Sequence, residues 1–167
     1  MQWYSLPVVQ VTIVGVRVEV PSNQPIMLLR EEEEPRRYVP IFIGSPEATA
    51  IVYALQGMET PRPMTHDLVT TLLFELGATI SLVEITELHE GTFFAEVEFS
   101  SGERTLRVSA RPSDAIALAV RQTPQPPIYI ADDVFEEAGL IFDEEQEEEQ
   151  IEEFRDFLDQ VKPEDFV

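Results

Sequence analysis

Tyr38-Val39-Pro40-Ile41-Phe42-Ile43-Gly44-Ser45-Pro46-Glu47-Ala48-Thr49-Ala50-Ile51-Val52-Tyr53-Ala54-Leu55-Gln56-Gly57 is where the chain changes its period. Tyr38 to Ile43 reads as a strand. After Gly44, Ala48, Ile51, Val52 and Leu55 recur at helical spacing, Pro46 suits a first helical position and Gly57 is a good terminator. A strand running straight into a helix, with the acid Glu47 in the first helical turn, is the unit from which the fold is read.

Upstream, Val9, Val11 and Ile13 share one face of a strand, and Val14, Val16, Val18 and Val20 continue in the opposite phase, so a bulge is expected near Val14-Gly15. Ile26 to Leu29 reads as a second strand. Glu31-Glu32-Glu33-Glu34-Pro35-Arg36-Arg37 reads as a solvated hairpin loop, because four adjacent like charges disfavour burial and Pro35 interrupts pairing.

Downstream, a helix is expected from Thr65, which can cap it, to Gly77, with Leu68, Leu72 and Leu76 as its buried stripe. Strands return from Ile80 to Leu88, then through Phe93, Ala95, Val97 and Phe99, then from Leu106 to Ala110, with turns at His89-Glu90-Gly91 and Ser100-Ser101-Gly102. Pro112 opens a small-residue helix from Asp114 to Arg121. Ile128-Tyr129-Ile130 is a short strand, and Asp132 or Asp133 is expected to cap a last short helix ending near Gly139. Consecutive strands with inserted helices give an α+β fold, a compact domain on a mainly antiparallel, mixed sheet. Ile41-Phe42-Ile43 before Pro46-Glu47-Ala48 is echoed by Ile128-Tyr129-Ile130 before Asp132-Asp133-Val134, and Pro112-Ser113-Asp114-Ala115 is a third relative. An internal duplication and chance both account for so short an echo.

With 167 residues and 44% apolar content the chain can bury one ordinary core. The expected division is a domain over residues 1–140 and, over 141–167, an acidic linker followed by an amphipathic C-terminal helix whose apolar face is Ile151, Phe154, Leu158 and Val161. The formal net charge is −21, and residues 131–167 hold sixteen acids against two bases. Such a field repels phosphate backbones at long range, so any binding of nucleic acid has to rest on a local site. No apolar run is long enough to cross a bilayer and Met1-Gln2-Trp3-Tyr4 lacks the features of a signal peptide, so the expected location is the cytoplasm, with no membrane partner. Zero cysteine excludes disulfides, thiolate nucleophiles and cysteine zinc sites. A metal would need carboxylate, imidazole or water ligands, which suits Mg or Mn.

Three junctions place an acid in the first turn of a helix: Ser45-Pro46-Glu47-Ala48, Thr65-His66-Asp67-Leu68 and Arg111-Pro112-Ser113-Asp114-Ala115. Taken singly, such acids complement the positive end of the helix dipole and bond free amides. Taken together, strand-to-helix junctions can converge on one edge of a sheet, and clustered helix N-termini flanked by Arg62 and Arg111 would bind an anion. His66, one of two histidines, suits a general base or acid or a metal ligand; the alternative is a surface histidine with no task. His89 reads as a turn residue. Arg62 sits between Pro61 and Pro63 and loses little entropy in gripping a phosphate, or it pairs with Glu59. The chain has no phosphate loop, dinucleotide glycine fingerprint, nucleophile elbow or zinc-protease helix.

Five stretches in order resemble the bifunctional nuclease domain family of bacteria and plants. They are Pro40-Ile41-Phe42-Ile43-Gly44 with Glu47-Ala48, then Arg62-Pro63-Met64-Thr65-His66-Asp67-Leu68, then Ile85-Thr86-Glu87-Leu88 with Gly91-Thr92-Phe93. Arg111-Pro112-Ser113-Asp114-Ala115-Ile116-Ala117-Leu118-Ala119 and Pro127-Ile128-Tyr129 complete the set. The resemblance spans about Val8 to Leu140 and implies a compact α+β fold, a homodimer, and cleavage of both DNA and RNA. On that reading Glu47, Asp67 and Asp114 supply carboxylates for catalysis or for a divalent metal, His66 moves the proton, and Arg62, Arg111 and Ser113 bind the substrate. Many members carry an aspartate where this chain has Ser109, which points to a weak nuclease. The competing reading is a non-catalytic regulatory or protein-interaction module, with the acidic C-terminal helix as the segment that would meet a protein partner.

Overall fold

Seven strands form one mixed sheet. The computed structural model describes residues 7–141, and within them the strands are β1 (Val8–Glu19), β2 (Gln24–Glu31), β3 (Tyr38–Phe42), β4 (Thr79–His89), β5 (Thr92–Ser101), β6 (Arg104–Ala110) and β7 (Ile128–Ala131). The helices are α1 (Ser45–Leu55), α2 (Thr65–Glu75), α3 (Pro112–Ala119) and α4 (Asp132–Ala138). The sheet order is β3-β2-β1-β7-β4-β5-β6. Neighbours run antiparallel except β4 and β7, which are parallel, so two antiparallel meanders meet on a central strand supplied by the end of the domain. This is the expected α+β architecture.

The register between β1 and β2 steps between Ile13 and Gly15, where the two phases of the valine-rich strand meet. The β4–β5 hairpin closes through Glu90 and Gly91, both with positive φ, the requirement of a tight turn joining right-twisted strands. Val83, Ile85, Ala95 and Val97 are buried, and on the opposite side of the same strands Arg107 bonds Glu84 and Glu98 at 2.9 and 3.1 Å.

Helix α1 packs on β1, β2 and α3; α3 packs on β4 and β5; α2 rests against α3; α4 packs on β3, β4 and β7. Of the eight residues of α3, every one except Asp114 is buried. Its alanines hold the helix backbone close to its neighbours, so Asp114 is fixed at the rim of an otherwise enclosed helix.

Two expectations are corrected. Leu68, Leu72 and Leu76 are 52, 52 and 75% exposed, so they are not a buried stripe; α2 rests on the core through Val69 and Leu73 instead. Phe74 is also exposed, so α2 and the residue just after it present four large apolar side chains to solvent. In the acidic loop, Glu31 is 5% exposed rather than solvated, held by the Arg37 backbone amide and by Arg37 Nε and Nη2 at 3.1, 3.0 and 2.9 Å. Arg37 also reaches Asp132 at 3.2 Å and stacks on Phe135, which ties α4 to the β2–β3 connection. The acidic stretch after Ile141 and the apolar series Ile151, Phe154, Leu158 and Val161 lie outside the described residues. Among the described residues no helix is long and apolar enough to cross a membrane.

Candidate functional site

Three helices begin around one cavity of about 250 Å³: α1 contributes Pro46 and Glu47, α2 contributes Thr65 and His66 with Met64 before it, and α3 contributes Asp114 with Arg111 before it. The N-cap residues are Gly44, Met64 and Arg111, all in extended conformation. Unpaired amides at a helix start carry partial positive charge, so three starts facing one space make it a place for negative groups.

A continuous chain of polar contacts lines that space. Asp114 Oδ1 lies 2.9 Å from His66 Nε2. Arg111 donates from Nε to Asp114 Oδ2 at 2.7 Å and from Nη2 to Asp114 Oδ1 at 3.1 Å and Glu47 Oε1 at 3.0 Å. Burial pushes the Asp114 carboxyl up, but the hydrogen bonds from Arg111 and His66 outweigh it and hold the group below the ordinary carboxylate value. Asp114 is therefore ionised at neutral pH and only accepts, which puts the imidazole proton on Nε2 and leaves Nδ1 as the basic nitrogen of the neutral ring. The Asp114 hydrogen bonds, with the smaller contribution of Glu47, raise the Arg111 guanidinium further.

Gly44 lets Glu47 take its place. A Cβ at that position would collide with Glu47 Oε2, so the missing side chain is what allows the carboxylate to fold back over the helix start while Oε1 meets Arg111. The side chains of Glu47 and His66 are mostly buried, whereas that of Arg111 is 64% exposed.

The remaining expected residues fall elsewhere. Asp67 faces away from this chain of contacts: its Oδ2 accepts from the Met64 amide at 2.8 Å and its Oδ1 from Arg121 Nε at 2.6 Å. This replaces the cap expected from Thr65. Burial raises the Asp67 carboxyl, but Arg121 and the Met64 amide more than reverse it, leaving its affinity for protons reduced. Arg121, with a side chain only 8% exposed, also donates to the Ala117 carbonyl, and nothing in its sequence neighbourhood marks it as the partner of Asp67. Arg62 is exposed; its carbonyl accepts from Thr60, and its side chain makes none of the ion pairs found among the described residues, including the alternative with Glu59. Ser113 is buried and lines a neighbouring cavity with Phe42 and Phe93, which the sequence places within family-like stretches without a role at the site. Ser109 is exposed near the end of β6, opposite Glu96. His89 pairs with Thr92 at the hairpin turn.

A hard divalent cation takes several oxygen ligands at close range. Here the Arg111 guanidinium bridges Glu47 and Asp114, Asp67 is engaged by Arg121, and among the described residues no group of three or more acidic or imidazole side chains forms a metal-binding cluster. In this arrangement the expected trio Glu47, Asp67 and Asp114 is not gathered around a common point and does not fit Mg or Mn.

The model of the bifunctional nuclease domain matches residues 27–143, well over half of the chain. The chain belongs to the bifunctional nuclease domain family. Glu47, His66, Arg111 and Asp114 all fall within that match. Two uncharacterised proteins of Mycobacterium tuberculosis, from different strains, are each 46% identical to this chain over 165 residues, covering 94% of it and 97% of their own length. Bifunctional nuclease 2 of Oryza sativa subsp. japonica is 26% identical over 110 residues, which is 64% of this chain and 34% of the rice protein. In this bifunctional nuclease domain the space around His66 is bounded by helix starts rather than by a groove of basic residues, which bears on how a polyanion would be held.

Proposed function

We propose that the His66 cavity is a phosphodiester-hydrolysis site and that the protein is a weak cytoplasmic nuclease acting on RNA, DNA or both. The observation that carries this reading is the Asp114–His66 pair set beside Arg111 at three helix starts, in a chain of the bifunctional nuclease domain family. Asp114 holds the base, His66, in one tautomer and stabilises the imidazolium that forms, as a carboxylate behind a histidine does in hydrolases generally. Nδ1 of His66 takes a proton from water as the water oxygen bonds to phosphorus; the bond to the leaving oxygen breaks, and that oxygen takes up the proton. Arg111 neutralises charge on the phosphate oxygens at the cavity, and Arg62, which lies outside its lining, would meet the substrate farther along. Each carboxylate already paired with Arg111 competes with the phosphate, which accords with a slow enzyme.

A second reading, a non-catalytic regulatory or interaction module, is favoured by two observations: two carboxylates already share Arg111, and the chain carries a net charge of −21. A homodimer goes with either reading, and the exposed Leu68 and Leu72 on one side of α2, with Leu76 just past its end, are the apolar surface such an assembly would use. Cleavage of single-stranded RNA and of plasmid DNA by the purified protein, with chelator and with added Mg or Mn, separates the two. Activity abolished in His66→Ala supports hydrolysis here; equal activity in parent and variant, or none in either, removes it.

A further inference from the structure

Next to the His66 cavity lies a second one of about 300 Å³, formed where the end of β3, the β4–β5 turn and the start of α3 meet. Phe42, Phe93, Ile41 and Ile43 give it apolar walls, and Thr92 and Ser113 add hydroxyls. Phe93 is packed against the core, whereas Phe42 is 52% exposed, so one ring is anchored and the other is open to contact. Arg111 lines both cavities, and its bonds to Asp114 and Glu47 use Nε and Nη2, leaving Nη1 out of them.

An apolar slot with two aromatic rings and a few polar groups, opening beside an exposed guanidinium, suits a planar ring that carries an anion. The volume is at the low end of ordinary ligand sites, about 300 Å³, and suits one such ring rather than a stacked pair. A base inside a duplex is stacked on both faces and paired at its edge, so only an unstacked base can enter. We infer that the Phe42–Phe93 cavity is a nucleobase subsite: it holds one unpaired base whose own phosphate lies at Arg111 and whose neighbouring phosphodiester lies at His66. This rests on the phosphodiester reading of the His66 cavity and extends it to a preference for single-stranded over double-stranded substrate. The same chemistry is offered by a strand of RNA or DNA and by a free nucleotide.

The test is equilibrium fluorescence with the full chain in chelating buffer. The probes are a single-stranded DNA carrying one 2-aminopurine, the same strand in a duplex, a strand of the same length abasic at every position and labelled at its end, and 2-aminopurine nucleoside monophosphate. The subsite predicts quenching by the single strand, weaker binding of the duplex and abasic strands, and a loss of about five- to hundredfold in Phe42→Ala, the range for removing one base-stacking ring. Phe42→Tyr retains binding, and thermal melts establish that both variants fold. Tighter binding of the strand than of the mononucleotide assigns the site to nucleic acid; equal binding assigns it to free nucleotide. Abasic and 2-aminopurine strands bound alike, or Phe42→Ala bound like the parent, overturn the subsite. Phe42-dependent quenching without any cleavage leaves the subsite standing and removes the hydrolytic reading; cleavage with no dependence on Phe42 or strandedness does the reverse.

Discussion

Asp114 Oδ1 and His66 Nε2 lie 2.9 Å apart although 48 positions separate them in the chain. The contact joins the first turn of α3 to the first turn of α2, and it fixes which imidazole nitrogen is free to take a proton.

His66→Ala is expected to lower cleavage by about a hundredfold or more, the scale of a lost general base, while costing only about 1 kcal/mol of stability for one hydrogen bond. Asp114→Asn should fall in the same range, because the amide oxygen no longer stabilises an imidazolium. Single-turnover cleavage and urea melts on the same preparations check both. A variant that loses activity only in proportion to its unfolded fraction would show the pair to be structural.

Asp67→Ala should cost more stability than His66→Ala, roughly 2–3 kcal/mol, since it removes a helix-start hydrogen bond and leaves the nearly buried Arg121 without its partner. Asp67 and Asp114 both hold protons less tightly in the fold than in the unfolded chain. Their contribution is complete above the unfolded carboxylate value of about 3.9 and is lost as pH falls through the depressed folded values, where the unfolded state binds more protons. Stability measured from pH 6 to pH 2 should therefore fall less steeply below about pH 4 in Asp67→Asn than in the parent. Identical slopes would contradict this.

Gly44→Ala offers a way to move Glu47 without touching it. The added methyl needs the space of Glu47 Oε2, so the flexible carboxylate gives way and its contact with Arg111 is lost. Gly44 has φ −76°, which alanine adopts freely, so thermal stability should change by less than about 1 kcal/mol. Phosphate or oligonucleotide affinity should rise severalfold as one competitor for Arg111 leaves. Unchanged affinity would mean that Glu47 does not compete.

A chain ending at Ile141 lacks twelve acids and two bases. Its affinity for single-stranded RNA should exceed that of the full chain at low salt, with the gap closing as salt screens the repulsion. Matching affinities at low ionic strength would exclude an electrostatic role for residues 142–167 in restraining nucleic-acid binding.

The sequence made some features readable because they are local. The change of period at Gly44, the phase break at Val14-Gly15 and the three acids in first helical turns all depend on neighbours within a few residues, and the sheet does gather those three helix starts. The buried face of α2 was not readable that way. Leu68, Leu72 and Leu76 repeat as regularly as Val69 and Leu73, and only the position of α3 decides which arc is covered. Asp67 looked like Glu47 and Asp114, but its partner Arg121 lies 54 positions away. Glu31 looked solvated for a similar reason: its burial depends on Arg37 and on α4, which arrives 95 positions after that arginine.

Strand β7 is the last strand of the described chain and the middle strand of the sheet. While a ribosome is still extending the chain, the meander carrying Glu47 and the meander carrying His66 exist with no strand to join them. The edges of β1 and β4 then stay open until Ile128 to Ala131 emerge, a window in which nascent chains can pair with one another. Those four residues complete the sheet, so a chain that stops or pauses before Ile128 holds two half-sheets, each with an open edge.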